Sequence, residues 1–412
     1  MKNDVIIIGG GAAGLCAAVA IKRKNPALSI RLLEALPRVG KKLATTGNGR
    51  CNITNKNITE VRYHGTHPDF AMYALNRFGG QATEDFFNKI GVPFVFEEEK
   101  GYPASLQAAS VVDCLRFAAE EAGVIVCTET RVTNIQISGG LFKVIAGNMS
   151  FLAENVIIAA GLLSGGERLG SDGQMLELLK KAGFKTVKTY PAIVQLKTAP
   201  EIVRQLKGIK VNAEVSLKSG YKLLRREYGE VLFCDYGLSG PPILQVSGAA
   251  ALAQSPVISL DLMREKGLDE LTAELGERIT LLAGRSTDEF FTGMMNKRLG
   301  QVIIKSAGYK LNMPVSALDK NAPQKIAAVI KNFSFTVTGN TGFINSQVTS
   351  GGLDTEQFDR KTMMSLDCKG LYAIGEILDI DGDCGGFNLQ WAWSSALCAA
   401  EAIAGKGNKR NG

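Results

Sequence analysis

Histidine is nearly missing from this 412-residue chain: His64 and His67 are the only two. A metal centre built on imidazoles, or a nucleophile activated by a histidine base, has almost no material to work with. Eight cysteines (16, 51, 114, 127, 234, 368, 384 and 398) lie scattered, and no two stand as C-x-x-C. That excludes a disulfide framework and fits free thiols in a reducing, cytoplasmic setting. Charge of neither sign dominates, with 47 basic residues against 40 acidic, a net +7 without long runs. A nucleic-acid binder of the usual kind concentrates basic residues in a stripe, so no nucleic-acid partner is expected. An uncharged run near the start, Val5 to Ile21, spans 17 residues and is broken by four glycines. It falls short of the ~20 apolar residues a membrane-crossing helix needs. Repeats and low-complexity linkers are absent too, apart from a tail from Gly405 to Gly412 that reads as frayed.

What is present is ordinary globular composition, 45% hydrophobic and 21% charged. At about 150 residues per domain the length suggests two or three domains. Asp4-Val5-Ile6-Ile7-Ile8 is a β-branched run of the kind buried on both faces of a parallel sheet. Gly9-Gly10-Gly11-Ala12-Ala13-Gly14 follows, a G-x-G-x-x-G at Gly9, Gly11 and Gly14. A helix is predicted from Ala12 to Lys24, stopped by Asn25-Pro26. A second strand, Ser29 to Leu33, ends in Glu34 and Ala35. In a dinucleotide fold Gly9 makes the tight turn, Gly11 lets a diphosphate approach the backbone, and Gly14 lets helix and strand touch. The helix N-terminus supplies N–H donors, and Glu34 can accept from the adenosine ribose hydroxyls. An acid there excludes a 2′-phosphate and leaves FAD and NAD both open.

Further along, Gly47-Asn48-Gly49-Arg50-Cys51-Asn52-Ile53-Thr54-Asn55 is a polar, glycine-rich loop able to present N–H groups to a planar ring. Gly370 to Gly375 reads as a strand ending in Gly-Glu376, and a helix is predicted from Leu389 to Ala404 behind Gly385-Gly386. These segments carry a resemblance. With YGLSGPPILQ at 236–245, TSGGL at 349–353 and GEILDIDGDCGGFNLQWAWSSA at 375–396, the whole chain resembles a bacterial flavoprotein family of the glutathione-reductase type. That family includes a dehydro-bile-acid enoyl reductase and an aminoacetone oxidase. The resemblance implies FAD, with Gly9, Gly11, Ala12, Ala13 and Gly14 at the diphosphate and Glu34 and Ala35 at the ribose. It places Lys42, Gly49, Arg50, Cys51 and Asn52 along the cofactor, Val132 at the adenine, and Ala160 and Gly161 at its edge. Gly375 and Glu376 would meet the ribityl chain or diphosphate, and Gly386, Phe387 and Asn388 the isoalloxazine. One departure stands out: Ala160-Gly161-Leu162 lacks the threonine that this type commonly carries beside the edge glycine.

The implied fold is α/β, a Rossmann-like FAD-binding domain (1–190 and 336–412) with an inserted domain at 191–335. Short strands over about 191–262 read as barrel-like, followed by a helical portion over about 263–332. Val124–Thr128, Thr130–Ile137 and Leu141–Ala146 read as a small antiparallel crossover. In the insert, strands are expected at 194–196, 211–217, 222–226 and 231–234, with a turn at Tyr228-Gly229. Helices are expected at 267–283, 288–299 and 323–331, and a return strand at 333–338. The insert would cover the flavin's reactive face. Cys51 and Cys384 read as packed thiols, His64 and His67 as surface residues without a metal. Tyr236 and Ser239 read as part of a tight turn with a smaller claim on a substrate carbonyl. Trp391 and Trp393 read as core. Between Lys197 and Glu230 stand 8 basic and 4 acidic residues, read as a solvated face.

The expected activity is hydride transfer between FAD and a small-molecule substrate, most simply NAD(P)H-dependent reduction of a conjugated C=C bond in a steroid-like enone. NAD(P)H would visit transiently, because no second fingerprint exists. An amine oxidase releasing hydrogen peroxide is the alternative, and an RNA-modifying flavoprotein the rival from another class. No catalytic residue and no oligomeric state can be assigned from the sequence.

Overall fold

The computed structural model describes residues 2–407. They form two compact units, one comprising the chain up to Pro191 together with the chain from Ser346 onward, the other Ala192 to Asn345. Each has its own apolar core.

The first unit is a Rossmann-type α/β fold around a seven-stranded sheet. Its first strand, Lys2–Ile8, is central, and Ile6 and Ile7 are fully buried. Ile30–Leu33 lies parallel on one side, Met149–Ile158 parallel on the other, with registers Val5↔Ile30 and Ile6↔Val156. A strand covered on both faces can be continuously apolar, which is why Val5 to Ile8 contains no polar residue. The uncharged run from Val5 to Ile21 is this strand, its turn and the first helix, Ala12–Lys24. Among the described residues no helix is long and apolar enough to cross a membrane.

One expectation fails here. Ile125–Cys127 is not part of the antiparallel crossover; it pairs parallel with Ile30–Leu33 as the third nucleotide-fold strand. The crossover consists of Asn134–Ser138 and Leu141–Ala146, which run antiparallel beside the first half of Met149–Ile158. The second half of that long strand turns parallel partner to both Lys2–Ile8 and Leu371–Ala373. A single strand therefore joins the N-terminal and C-terminal segments of the chain.

The second unit is built on a closed antiparallel barrel of six strands. Lys222–Phe233 is one continuous strand rather than two, since Tyr228 and Gly229 pair with Glu214 and Ala213. Its charged, alternating face hides this continuity. Gly229, at φ 157°, faces the helix that crosses the strand, where a Cβ would make an ordinary contact with the Pro242 ring at 3.4 Å. That helix, Pro241–Leu252, replaces the tight turn expected at Pro241-Pro242; prolines at a first turn lose no hydrogen bond. Strand Pro256–Asp261 was also hidden from the sequence reading. The helix expected at 288–299 is a short turn at Thr287–Glu289 followed by a helix at Lys297–Ser306. Gly293 at φ 81° breaks the first, and the Asn296 side chain caps the second. The strand Phe333–Asn340 closes the barrel. At the C-terminus the helix Phe387–Gly407 runs on past Gly405, and the last five residues of the tail lie outside the described ones.

Candidate functional site

The glycine fingerprint is fixed by close approach. A Cβ on Gly14 would fall 1.9 Å from the Gly9 carbonyl oxygen, and one on Gly9, at φ 108°, 2.4 Å from that of Ala159. Gly11, the residue before the first helical position, is different: nothing lies within 4 Å of a Cβ placed there. The open space faces a helix N-terminus, where N–H groups and the helix dipole favour an anion. On the helix's first turn Ala13 lies about one methyl contact, 3.0 Å, from a Cβ placed on Gly375. The turn Gly375–Ile377 is thus seated on the fingerprint helix from the other end of the chain. Glu376 accepts from Lys42 Nζ at 2.7 Å and from the Thr349 N–H at 2.9 Å. Gly161, left-handed at φ 67°, stands close to the same carboxylate. Lys42, Gly161 and Glu376 are therefore brought together, with Ala13 of the fingerprint helix beside Gly375.

One cleft runs along this end, lined by Glu34, Ala35, Val132, Ala160 and Gly161 among others. Glu34 accepts from the Gly10 N–H and the Leu36 N–H, each at 2.8 Å. Burial pushes its carboxyl up, while those backbone bonds and Arg131 oppose the shift. Arg131 pairs with Asp172 and lines the cleft with it, a feature no motif announced. Position 160, where this type commonly carries a threonine, is an alanine; the backbone just beyond is met by Thr349, whose Oγ1 accepts from the Leu163 and Ser164 N–H groups at 3.1 and 3.0 Å.

At the other end, residues 52–55 are stitched to residues 385–393. Trp393 Nε1 donates to the Ile53 carbonyl at 3.0 Å, Asn55 Nδ2 to the Gly385 carbonyl at 2.8 Å, and Thr54 Oγ1 to Gln390 Oε1 at 2.5 Å. A Cβ on Gly386 would strike the Thr54 carbonyl at 2.6 Å. Trp391 and Trp393 are both buried, and Trp391 Nε1 donates to the Gly375 carbonyl. Asn52 Oδ1 is buried with no hydrogen-bond partner, which is costly unless a donor arrives with a ligand.

Several side chains point elsewhere than the resemblance implied. Arg50 pairs with Glu97 and lies over the Tyr102 ring at 4.4 Å, at the solvent edge. Phe387 is buried edge-on against Tyr63, and Asn388 is spent on the Gly382 N–H and carbonyl. What these two positions leave for a ring is the backbone of a helix start. Cys51 is buried, its thiol pushed up to about 12 by that burial. Gly49 is left-handed with open space beside it. His64 Nε2 lies 2.8 Å from Asp383 Oδ1 rather than free at the surface. Tyr236 and Ser239 belong to the barrel unit.

The segment Asp379-Ile380-Asp381-Gly382-Asp383 buries three acids in alternation, a signal the sequence offered and the motif reading absorbed as loop. Asp383 meets Arg62 and His64, and Asp379 accepts from the Thr66 N–H. Asp381 makes no ion pair among the described residues, and its Oδ1 has no partner. Burial pushes it up to about 6, with Asp379 and Glu376 adding to the shift and Ser350 and His64 opposing it.

An anion cradle at Gly11, an acid at the ribose position and an orphaned acceptor beside a helix start fit a dinucleotide that ends in a ring carrying an N–H donor, as FAD does. Gly11→Ala is expected to leave thermal stability unchanged and weaken FAD binding at least tenfold in a fluorescence titration, whereas Gly14→Ala lowers the melting temperature itself. Equal effects would contradict the geometry. Because the folded-state pKa of Asp381 is raised, the stability it contributes is present below about pH 4 and lost as pH rises through about 6. Asp381→Asn should therefore gain roughly 2–3 kcal/mol over the parent at pH 8 and nothing at pH 3.5, read from denaturant midpoints.

The family described as HI0933-like protein Rossmann domain matches residues 3–402. The chain is 33% identical to the 3-dehydro-bile acid delta(4,6)-reductase of Clostridium scindens over 98% of its own length and 99% of the relative's. It is 28% identical to the ribosomal RNA dihydrouridine synthase of Escherichia coli, over 98% of this chain and 99% of that one. Among solved structures, E. coli quinol fumarate reductase superposes at a TM-score of 0.53 and 18% identity, covering 100% of this chain and 71% of that chain. The 3-ketosteroid-delta4-(5alpha)-dehydrogenase of Rhodococcus jostii superposes at 0.51 and 14%, covering 98% and 97%. At such identities the two structures speak for the fold. The chain belongs to the HI0933-like family and is an FAD-dependent oxidoreductase on a Rossmann-type fold.

Proposed function

We propose that the protein reduces a carbon–carbon double bond conjugated to a carbonyl, with a steroid-like enone as substrate and NAD(P)H as a visiting electron donor. The observation that carries this reading is the end-to-end similarity to a protein named as a bile acid delta(4,6)-reductase. FAD, when bound, supplies hydride transfer at its ring. The chain's own residues do the rest. Gly11 and the first turn of the Ala12–Lys24 helix receive the diphosphate, and the Lys42–Glu376 pair flanks it. Glu34 and Val132 hold the adenosine. Asn52 Oδ1 offers an acceptor to a ring N–H, and the helix beginning at Phe387 offers N–H groups to the negative charge that a reduced ring gathers. The inserted barrel unit, 192–345, is the part we assign to substrate selection.

A second reading has its own support: two relatives at 26 and 28% identity are named ribosomal RNA dihydrouridine synthases. Uracil, too, presents a C=C bond conjugated to a carbonyl, so the chemistry is shared and only the carrier of the double bond differs. The charges of the barrel weigh against an RNA backbone. Lys207 pairs with Asp235, Lys210 with Glu230, Arg225 with Glu227 and Arg226 with Glu214, so four of the eight basic side chains between Lys197 and Glu230 are already committed to carboxylates.

Anaerobic enzyme reduced with NADH or NADPH should be reoxidised within seconds by a 3-keto-4-ene steroid, with the saturated ketone as product. Reoxidation by a uridine-containing ribosomal RNA fragment and not by the enone would move the assignment to RNA. Bleaching of the oxidised flavin by an amine, with no response to NAD(P)H, would replace the reductase with the oxidase.

A further inference from the structure

Folding brings two distant carboxylates to His67. One ligand atom each from His67, Asp354 and Glu356 lies within 4.8 Å of the other two, and His67 Nε2 is 3.5 Å from Glu356 Oε1. Among the described residues no other trio of histidine, cysteine or carboxylate atoms gathers so closely. Ligands on a zinc ion, at bond lengths of about 2.0–2.2 Å, stand roughly 3–4 Å apart, so these side chains need little rearrangement to share one.

The three side chains hang on turns that the surrounding backbone fixes. The Thr66 N–H donates to Asp379 Oδ2 at 2.8 Å, and a Cβ on Gly65, at φ 141°, would fall 2.2 Å from the Asp379 carbonyl oxygen. The Phe70 N–H donates to the His67 carbonyl at 3.1 Å, at the start of the helix Phe70–Arg77. On the other side, the Asp354 N–H and the Gln357 side-chain amide both donate to the Lys185 carbonyl. Asp354 spends Oδ1 on the Glu356 N–H at 3.0 Å, which opens the short turn Thr355–Gln357. The Asp379 N–H donates to the Leu353 carbonyl at 2.9 Å, so Asp379 seats both turns. Ligands on such supports are held in place before an ion arrives.

The charges ask for a cation. Neither Asp354 nor Glu356 pairs with a lysine or arginine among the described residues, so two carboxylates stand together with only an imidazole beside them. Thr355, between them in the chain, is 1% exposed, and its Oγ1 has no hydrogen-bond partner. The turn therefore carries polar oxygen that the chain's own groups leave unmatched. One imidazole nitrogen with two carboxylate oxygens suits a zinc-class divalent ion whose shell is completed by water. Calcium takes six to eight oxygens and magnesium a near-octahedral oxygen shell, and this trio offers neither.

We propose that His67, Asp354 and Glu356 bind a zinc-class divalent cation, tying the turn before the helix Phe70–Arg77 to the turn after the strand Val348–Leu353. That strand carries Thr349, whose N–H holds Glu376, so the ion braces a part of the frame on which the cofactor site is built. No step of the reduction is assigned to it, and the inference stands apart from the substrate reading above.

The test titrates tag-free, flavin-loaded enzyme with Co²⁺, read by its visible absorption, and with Zn²⁺, read by calorimetry. One ion per chain is expected, with the weak cobalt bands of nitrogen and oxygen ligands, and Zn²⁺ should raise the melting temperature by about 2 °C or more. His67→Gln and Glu356→Gln should each weaken binding at least tenfold and remove most of that rise. Their side chains are 41% and 66% exposed, so neither variant puts the fold at stake. An intense thiolate-to-cobalt band, binding that both variants leave unchanged, or no stoichiometric binding by the parent overturns the proposal. Tighter binding of Ca²⁺ or Mg²⁺ than of Zn²⁺ overturns it as well.

Discussion

The hydrogen bond from the Trp393 indole to the Ile53 carbonyl spans 340 residues of sequence with both partners buried. A buried carbonyl left unpaired costs on the order of 1–3 kcal/mol, so the C-terminal helix and the segment from Gly47 to Asn55 hold each other in place. Asn55 on the Gly385 carbonyl and Thr54 on Gln390 repeat the constraint on either side. Gly386 completes it by steric means, since any side chain there would occupy the Thr54 carbonyl. These contacts hold together the two segments between which we propose the cofactor ring lies.

Glu376 performs the corresponding task at the diphosphate. Its oxygens accept from Lys42 and from the backbone of Thr349, and its turn rests on the first helix. A partly buried carboxylate is tolerated because a cation and an N–H meet it. One acid thereby ties three chain segments: the loop after the second strand, the strand Val348–Leu353 and the approach to the C-terminal helix. Asp383 does the same work with Arg62 and His64. Asp381, lying between such satisfied acids, has no such reason to be charged or buried, and that contrast is what singles it out.

The sequence made the nucleotide half legible because there the fold is written in local geometry. A β-branched strand, glycines at fixed offsets and an acid at the end of the next strand each have one physical reading, and the Rossmann-type fold with a barrel follows it. Ile125–Cys127 was misplaced because three residues carry no periodicity and its neighbours in the sequence are antiparallel. Lys222–Phe233 reads as two strands because Tyr228-Gly229 has the composition of a turn, whereas both residues pair with Glu214 and Ala213 of the neighbouring strand. Arg50, Phe387 and Asn388 sit in motifs that stand out as segments in the sequence, yet where each side chain points depends on partners such as Glu97, Tyr63 and Gly382.

The central claim is that both ends of the chain close on one FAD. Hydrogen–deuterium exchange with and without FAD addresses it directly. Protection is predicted together at Gly9–Gly14, across the loop from Lys42 to Asn55 and from Gly375 to Gln390. Protection confined to the glycine fingerprint and Glu34, with the other two segments exchanging as before, would contradict the account.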